Sequence, residues 1–255
     1  MKKTKKLNFL EWNNHVLINS FKRIDLSIFL IVFLDALFYA ISGLIVFFWF
    51  QRVMAKIFSF QVPTDLISLG YDKAQGLVKE IRLFYILIIA SFILVLLAII
   101  FLASILKGII WAKTTKTKLT FALISKFLVL NLIWMGFWFV FILLLSMLLE
   151  PSISAVIIGA SIVISLYLSS TLYALFMKEQ KINAIFKAIK LNTTKIHMFL
   201  LPYFMIVLVI SLFLILGARF SFNYSQVIIT LIMIIIAALV RYYHSGIVSE
   251  IGSQK

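Results

Sequence analysis

Six apolar stretches, each about as long as a bilayer is thick, divide this 255-residue chain almost from end to end: Leu26–Phe50, Leu83–Leu106, Phe127–Leu149, Ile153–Met177, Met198–Leu216 and Val227–Val240, the last extending to residue 243. Crossing a hydrocarbon layer takes about 20 apolar residues per helix, because in lipid every backbone N–H and C=O must find its partner within the helix. The short alternating runs of a membrane barrel do not appear. The pattern predicts an all-α fold, a polytopic integral membrane protein. One domain over residues 1–255 would hold six transmembrane helices in three hairpins. At 64% hydrophobic and 13% charged, with a mean hydropathy of +1.13, the chain is far from a soluble domain, in which about half the residues are apolar. The first span is longer than the apolar core of a signal peptide and lacks a small-residue cleavage site, so it is expected to stay as an anchor. The longest expected connection, Gln51–Arg82, leaves no room for a separate soluble catalytic domain.

Basic residues fix the expected orientation. Lys and Arg number 6 in Met1–Asp25, 5 in Gln51–Arg82, 5 in Lys107–Lys126, none in Glu150–Ser152, 5 in Lys178–His197, 1 in Gly217–Gln226 and 2 after Val240. The segments that share a side with the N-terminus hold 18 of them against 6. By the positive-inside rule both termini lie in the cytoplasm, which makes this a multi-pass protein of the cell (cytoplasmic) membrane. The net charge of +15 is therefore gathered at one face, where anionic membrane lipids are the nearest partner, at about 1 kcal/mol per basic residue close to the surface. Nucleic acid is not expected, because no reader fold accompanies the bases. A second copy and other membrane proteins stay open as partners.

Short basic segments lead into the odd-numbered spans. Leu10, Leu17, Phe21 and Ile24 share one helical face, with Lys22 and Arg23 off it; Ile182, Ile185, Phe186 and Ile189 do the same, with Lys181, Lys187 and Lys190 outside the stripe. Such amphipathic helices lie in the interface. A shorter counterpart, Thr117–Lys126, follows the polar run from Lys113 to Lys118. Lys113, Lys116, Lys118, Lys181, Lys187 and Lys190 are the candidate contacts to lipid head groups. The segment Tyr173–Lys195, with Lys178, Glu179, Lys181, Phe186, Lys187, Lys190 and Asn192 ahead of an apolar span, resembles the stretch before the fifth helix in prokaryotic six-helix membrane families related to the membrane domain of glycerophosphodiester phosphodiesterases. The resemblance implies a six-helix fold and cytoplasmic termini. No phosphodiesterase domain is present, and it implies no catalytic residue.

Polar side chains within spans are costly in lipid and call for partners. Asp35 is the one acid well inside a span, with Tyr39 and Ser42 on its helical face. Asn131 shares a face with Trp134 and Trp138, and Ser161, Ser165, Ser169 and Tyr173 share another. At about 1.5 Å per residue, Asp35 and Ser169 lie about 12 Å and Asn131 about 6 Å from the cytoplasmic ends of their spans. Asp35, Tyr39, Asn131, Ser165, Ser169 and Tyr173 are thus candidates to line an inner-leaflet polar cavity, or to act as interhelical hydrogen-bonding groups. Asp35 is expected against the third or fourth span, and in a purely structural role Asp35→Asn is expected to leave folding nearly intact.

His15, His197 and His244 stand alone, with no second ligand at metal-binding spacing, and no metal or other cofactor is expected. Cysteine is absent, so the redox compartment is undetermined. No phosphate-binding loop and no nucleophile elbow occurs. A non-enzymatic role in membrane organisation, or in lipid or small-solute transport, is expected. A self-contained transporter or channel is the first alternative and a lipid-modifying enzyme the second.

Overall fold

The computed structural model describes residues 8–59, 71–199, 201, 203, 204, 207, 211, 215 and 225–253. These are helical almost throughout, with no strand among them. The helices are α1 (Phe9–Lys22), α2 (Ser27–Ser59), α3 (Tyr71–Thr114), α4 (Phe121–Leu148), α5 (Pro151–Glu179), α6 (Ala184–Thr194) and α7 (Ser225–Ser253). Five are long and apolar enough to cross a membrane: Ser27–Ser59, Gln75–Thr114, Phe121–Leu148, Ile153–Glu179 and Val227–Gly252. Large apolar side chains project from them into the surroundings, among them Leu94 at 67% and Val163 at 59% exposure. That is the character of a multi-pass membrane protein. Most of the expected fifth span, Met198–Leu216, lies outside the described residues, and those positions of it that are described are helical. Residues 60–70 of the expected first outer connection and residues 217–224 of the last also lie outside them.

Local chemistry sets the helix ends. α1 starts in a capping box, in which the Asn8 amide donates to Glu11 Oε2 at 3.2 Å. Asp25 caps α2: the Ser27 amide donates to its Oδ1 at 3.0 Å and the Ser27 hydroxyl to the same oxygen. The two bonds hold the exposed Asp25 carboxyl below the usual carboxylate range. α3 stops at a left-handed Lys116 (φ 55), where the Thr117 amide reaches back to the Ala112 carbonyl at 2.8 Å. Thr120 then caps α4 by accepting from the Leu123 amide at 3.2 Å. The lead-in helix expected over Thr117–Lys126 is therefore absent: residues 117–120 are not helical, and α4 begins directly at Phe121. α5 has Pro151 in its first turn and ends at a left-handed Gln180 (φ 52).

The chain forms two compact units. One joins the sequence up to Ala36 with that from Ser104 on, and the other is Leu37–Ala103. In the second, Trp49 on α2 donates to Ser91 Oγ on α3 at 3.0 Å and its ring lies 5.5 Å from Phe92. Both helices continue beyond this unit, so at about 1.5 Å per residue α2 is about 50 Å and α3 about 66 Å long, well over a hydrocarbon core of about 30 Å.

The first unit holds the core, centred on Trp111, Phe127, Leu130, Leu172, Phe176 and Ile247. α1 lies across α7: Asn13, Val16 and Ser20 are buried, and the Tyr243 hydroxyl donates to Asn13 Oδ1 at 2.8 Å. Gly246 permits this approach, since a Cβ there would overlap the Ser20 hydroxyl. α6 packs on α5 through Ala184, Ala188 and Asn192, which are buried at successive turns. The outward sides of these short helices are apolar, with Leu10 and Phe21 exposed on α1 and Ile182, Phe186 and Ile189 exposed beside or on α6. The Thr117 hydroxyl donates to the Met177 carbonyl at 3.4 Å, and Lys116 stands 3.9 Å from Asp25. One end of this unit thus gathers the α1–α2, α3–α4 and α5–α6 connections.

Candidate functional site

Three ionisable side chains meet inside the apolar helices of the first unit. Asp35 projects from α2, Lys107 from α3 and Arg241 from α7. Lys107 Nζ donates to Asp35 Oδ1 at 2.5 Å, and Arg241 Nη1 donates to Oδ2 at 2.8 Å. The Asp35 side chain is 2% exposed, against 17% for Lys107 and 10% for Arg241. The Arg241 guanidinium also lies 5.7 Å from the centre of the Trp111 ring, within cation–π range. A carboxylate in an apolar surround is stable only when paired and hydrogen-bonded, and here each oxygen has its own cationic donor.

Asp35 is buried, but its direct partners are not among Asn131, Ser165 and Ser169, the polar candidates of the third and fourth spans. They sit on the second and last spanning helices rather than the third or fourth. The reason lies in α3 and α7: each helix runs on past its basic residue, so Lys107 and Arg241 belong to helices and not to flanking loops. Asn131 donates instead to Ser104 Oγ at 3.0 Å. Ser104 and Lys107 are three residues apart on one face of α3, so Asn131 and Asp35 attach to adjacent turns of the same helix. Ser169 accepts from Trp134 Nε1 at 2.8 Å and donates to the Ser165 carbonyl at 2.6 Å. Tyr173 joins the aromatic cluster of Trp111 and Phe127, with ring centres at 5.9 and 5.0 Å. Tyr39 belongs to the Leu37–Ala103 unit and is 51% exposed.

A second buried polar group joins α5, α6 and α7. His244, only 1% exposed, has Nε2 2.7 Å from Thr171 Oγ1, and Thr171 donates to Asn192 Oδ1 at 2.9 Å. Thr171 has one proton to give, so His244 must be the donor through Nε2–H. Among the described residues, His244 Nδ1 and Asn192 Nδ2 are buried without a hydrogen-bond partner. His244 is therefore a buried member of a polar junction between three helices. The residues that sequence reasoning missed are Lys107, Arg241, Thr171, Asn192 and His244. For Lys107 and His244 the signal was the apolar sequence that resumes beyond them, Gly108–Ala112 and Ile247–Val248.

All six lysines expected at lipid head groups are exposed. Lys113, Lys116 and Lys118 flank the α3–α4 turn, and Lys181, Lys187 and Lys190 lie before or on α6. Lys187 also donates to both Glu179 carboxylate oxygens at 2.7 Å, an exposed pair of small worth. No family model, curated protein or solved structure matches this chain.

Proposed function

We propose that the protein is a non-enzymatic component of the cytoplasmic membrane that organises lipid or takes part in its movement, engaging anionic lipids at its cytoplasmic face. The proposal includes six spans in three hairpins, with both termini cytoplasmic, the arrangement implied by the resemblance to six-helix membrane families. The observation that carries it is the segregation of faces on α6. Small residues, Ala184, Ala188 and Asn192, face the protein, while Phe186, Ile189 and the exposed Lys187 and Lys190 face away. A helix in water would turn its largest apolar side chains inward; one lying in the interface keeps them for the acyl chains and sets its lysines among the phosphates. α1 repeats the arrangement, with Asn13 and Ser20 inside and Leu10 and Phe21 outside. The test is association of the purified protein with phosphatidylglycerol against phosphatidylcholine by native mass spectrometry, before and after Lys181→Gln, Lys187→Gln and Lys190→Gln together. Preferential, salt-sensitive retention of phosphatidylglycerol that the triple variant loses supports the reading, and equal retention of both lipids by the parent protein contradicts it. Small-solute transport is the second reading. It is favoured by His244 Nδ1 and Asn192 Nδ2, an acceptor and a donor in the α5–α6–α7 junction that have no hydrogen-bond partner among the described residues.

A further inference from the structure

We propose that Arg23 and Lys178 together bind the phosphate group of one anionic phospholipid, at the end of the first unit where the α1–α2, α3–α4 and α5–α6 connections meet. The inference rests on the lipid reading above and gives it a specific site, separate from the lysines of α6.

Placement is the first argument. Arg23 caps the C-terminus of α1, where its amide donates to the Ser20 carbonyl at 3.1 Å. Lys178 lies in the last turn of α5, just before the left-handed Gln180. Tertiary contacts fix both positions. α1 is held on α7 by the close approach of Ser20 to Gly246, and the end of α5 is held on the α3–α4 turn by the bond from the Thr117 hydroxyl to the Met177 carbonyl at 3.4 Å. The same turn reaches the α1–α2 connection, since Lys116 stands 3.9 Å from Asp25. Two bases far apart in sequence are thereby brought close enough that Arg23 is the charged group acting on Lys178. Both side chains are exposed. Each stands where its helix ends, at the level of the head groups rather than within the hydrocarbon.

Charge is the second argument. The acids near this end are already engaged: Asp25 accepts from the Ser27 amide and faces Lys116, Glu179 is held by Lys187 at 2.7 Å, and Glu11 closes the capping box of α1. Among the described residues, Arg23 and Lys178 make no ion pair and no side-chain hydrogen bond. Helix-end partial charges do not alter this balance, because α1, α3 and α5 end at this face while α2, α4 and α6 begin at it. Two like charges are therefore held side by side with no carboxylate between them. A phosphodiester monoanion offsets their repulsion, and its two free oxygens suit a planar guanidinium fork and an ammonium.

The apolar surface beside the pair is the third argument, and it favours a lipid over free phosphate. Leu26, Phe29 and Phe33 follow Arg23 along one face of α2, and all three are exposed. They offer a track for acyl chains that begins at the level of the bases. Inorganic phosphate shares the head-group chemistry but gains nothing from that track.

The test uses the full chain in detergent, delipidated and then titrated with phosphatidylglycerol or phosphatidylcholine under native mass spectrometry, with inorganic phosphate as competitor in a second arm. One phosphatidylglycerol per protomer is expected to bind more tightly than those that follow, and to persist in a large excess of inorganic phosphate. Displacement of it by inorganic phosphate at comparable concentration identifies a site for the free anion and overturns the lipid assignment. Arg23→Gln and Lys178→Gln are each expected to weaken the first lipid by about fivefold, the weight of one basic residue at a lipid surface, and the two together by about 25-fold. Arg23→Lys keeps the charge without the fork and is expected to lose less than Arg23→Gln. Both side chains are exposed, and an unchanged unfolding midpoint by tryptophan fluorescence checks that the variants fold. The triple variant Lys181→Gln, Lys187→Gln and Lys190→Gln removes more charge than the pair, yet is expected to leave the first lipid in place while looser association falls. Equal weakening of the first lipid by the triple variant reduces the effect to net charge and overturns the site. A parent with no first lipid distinguishable from the rest also overturns it, and leaves the α6 reading standing if phosphatidylglycerol is still preferred. A tight first lipid that is lost with Arg23 and Lys178, on a parent with no looser anionic preference, keeps the site and removes the α6 reading.

Discussion

Replacing Asp35 by Asn is expected to destabilise the protein strongly, although the two side chains have nearly the same shape. The change removes the carboxylate that bridges Lys107 and Arg241, whose donors stand 2.5 and 2.8 Å from its two oxygens. An amide can accept one of those bonds through its oxygen, but its NH₂ group then points a donor at the other cation. Each lost charge-assisted hydrogen bond is worth about 1.5–3 kcal/mol, and breaking a buried ion pair from one side costs about 3–5 kcal/mol. Because the bases retain some exposure, the lower part of that range, about 3 kcal/mol, is the expected loss. For a chain of this size that corresponds to a fall in unfolding midpoint on the order of 10 °C. Thermal unfolding in detergent, followed by tryptophan fluorescence, measures it. The double variant Asp35→Asn with Arg241→Gln relieves part of the repulsion, so the two changes should be less than additive by about 1–3 kcal/mol. A midpoint for Asp35→Asn within about 2 °C of the parent, or strict additivity with Arg241→Gln, would refute the reasoning.

Other outcomes follow from the same contacts. Gly246→Val places a side chain where Ser20 of α1 sits and is expected to cost about 1–3 kcal/mol through overpacking, visible as faster proteolysis of the N-terminal helix; unchanged proteolysis would mean that α1 does not lie against α7. Thr171→Val leaves His244 Nε2 and Asn192 Oδ1 without their shared hydroxyl, an expected loss of about 1–3 kcal/mol in denaturant or thermal unfolding, with Thr171→Ser retaining most of the parent stability. Spin labels stepped along Ile182–Ile189 should show lipid exposure with helical periodicity, and uniform aqueous accessibility would remove α6 from the interface. Reporter fusions at the C-terminus and within Glu150–Ser152 should report opposite sides of the membrane, with the C-terminus cytoplasmic; a C-terminal fusion active only outside the cell would invert the topology.

Hydropathy made the spanning helices legible, but it also hid the ionic cluster. An apolar run is interrupted by one lysine, whereas a helix is not, since Lys is a good helix former. The apolar run ends at Leu106, so hydropathy alone makes Lys107 a loop base that sets topology. The same holds for Arg241, although its helix continues to Ser253. The need of Asp35 for a partner could be read from the cost of its burial. Which partner could not, because that depends on which helices pack together, and the apolar runs themselves offer only neutral groups such as Asn131 and Ser169. This also reverses the expectation that Asp35→Asn would be mild, which held only for neutral partners. The amphipathic stripe of α6 was visible from spacing alone, yet the inward face proved to be the small-residue side, a choice made by close packing on α5. The missing third lead-in helix follows from Lys116 and Thr120, a left-handed stop and an N-cap four residues apart.

The most direct test of the account is an electron cryomicroscopy structure of the full chain in nanodiscs containing phosphatidylglycerol. The expected map has acyl-chain density along Ile182, Phe186 and Ile189, head-group density beside Lys181 and Lys190, and the Asp35–Lys107–Arg241 cluster within the lipid slab. A map in which the outward side of α6 meets bulk water, with that cluster outside the slab, would contradict it.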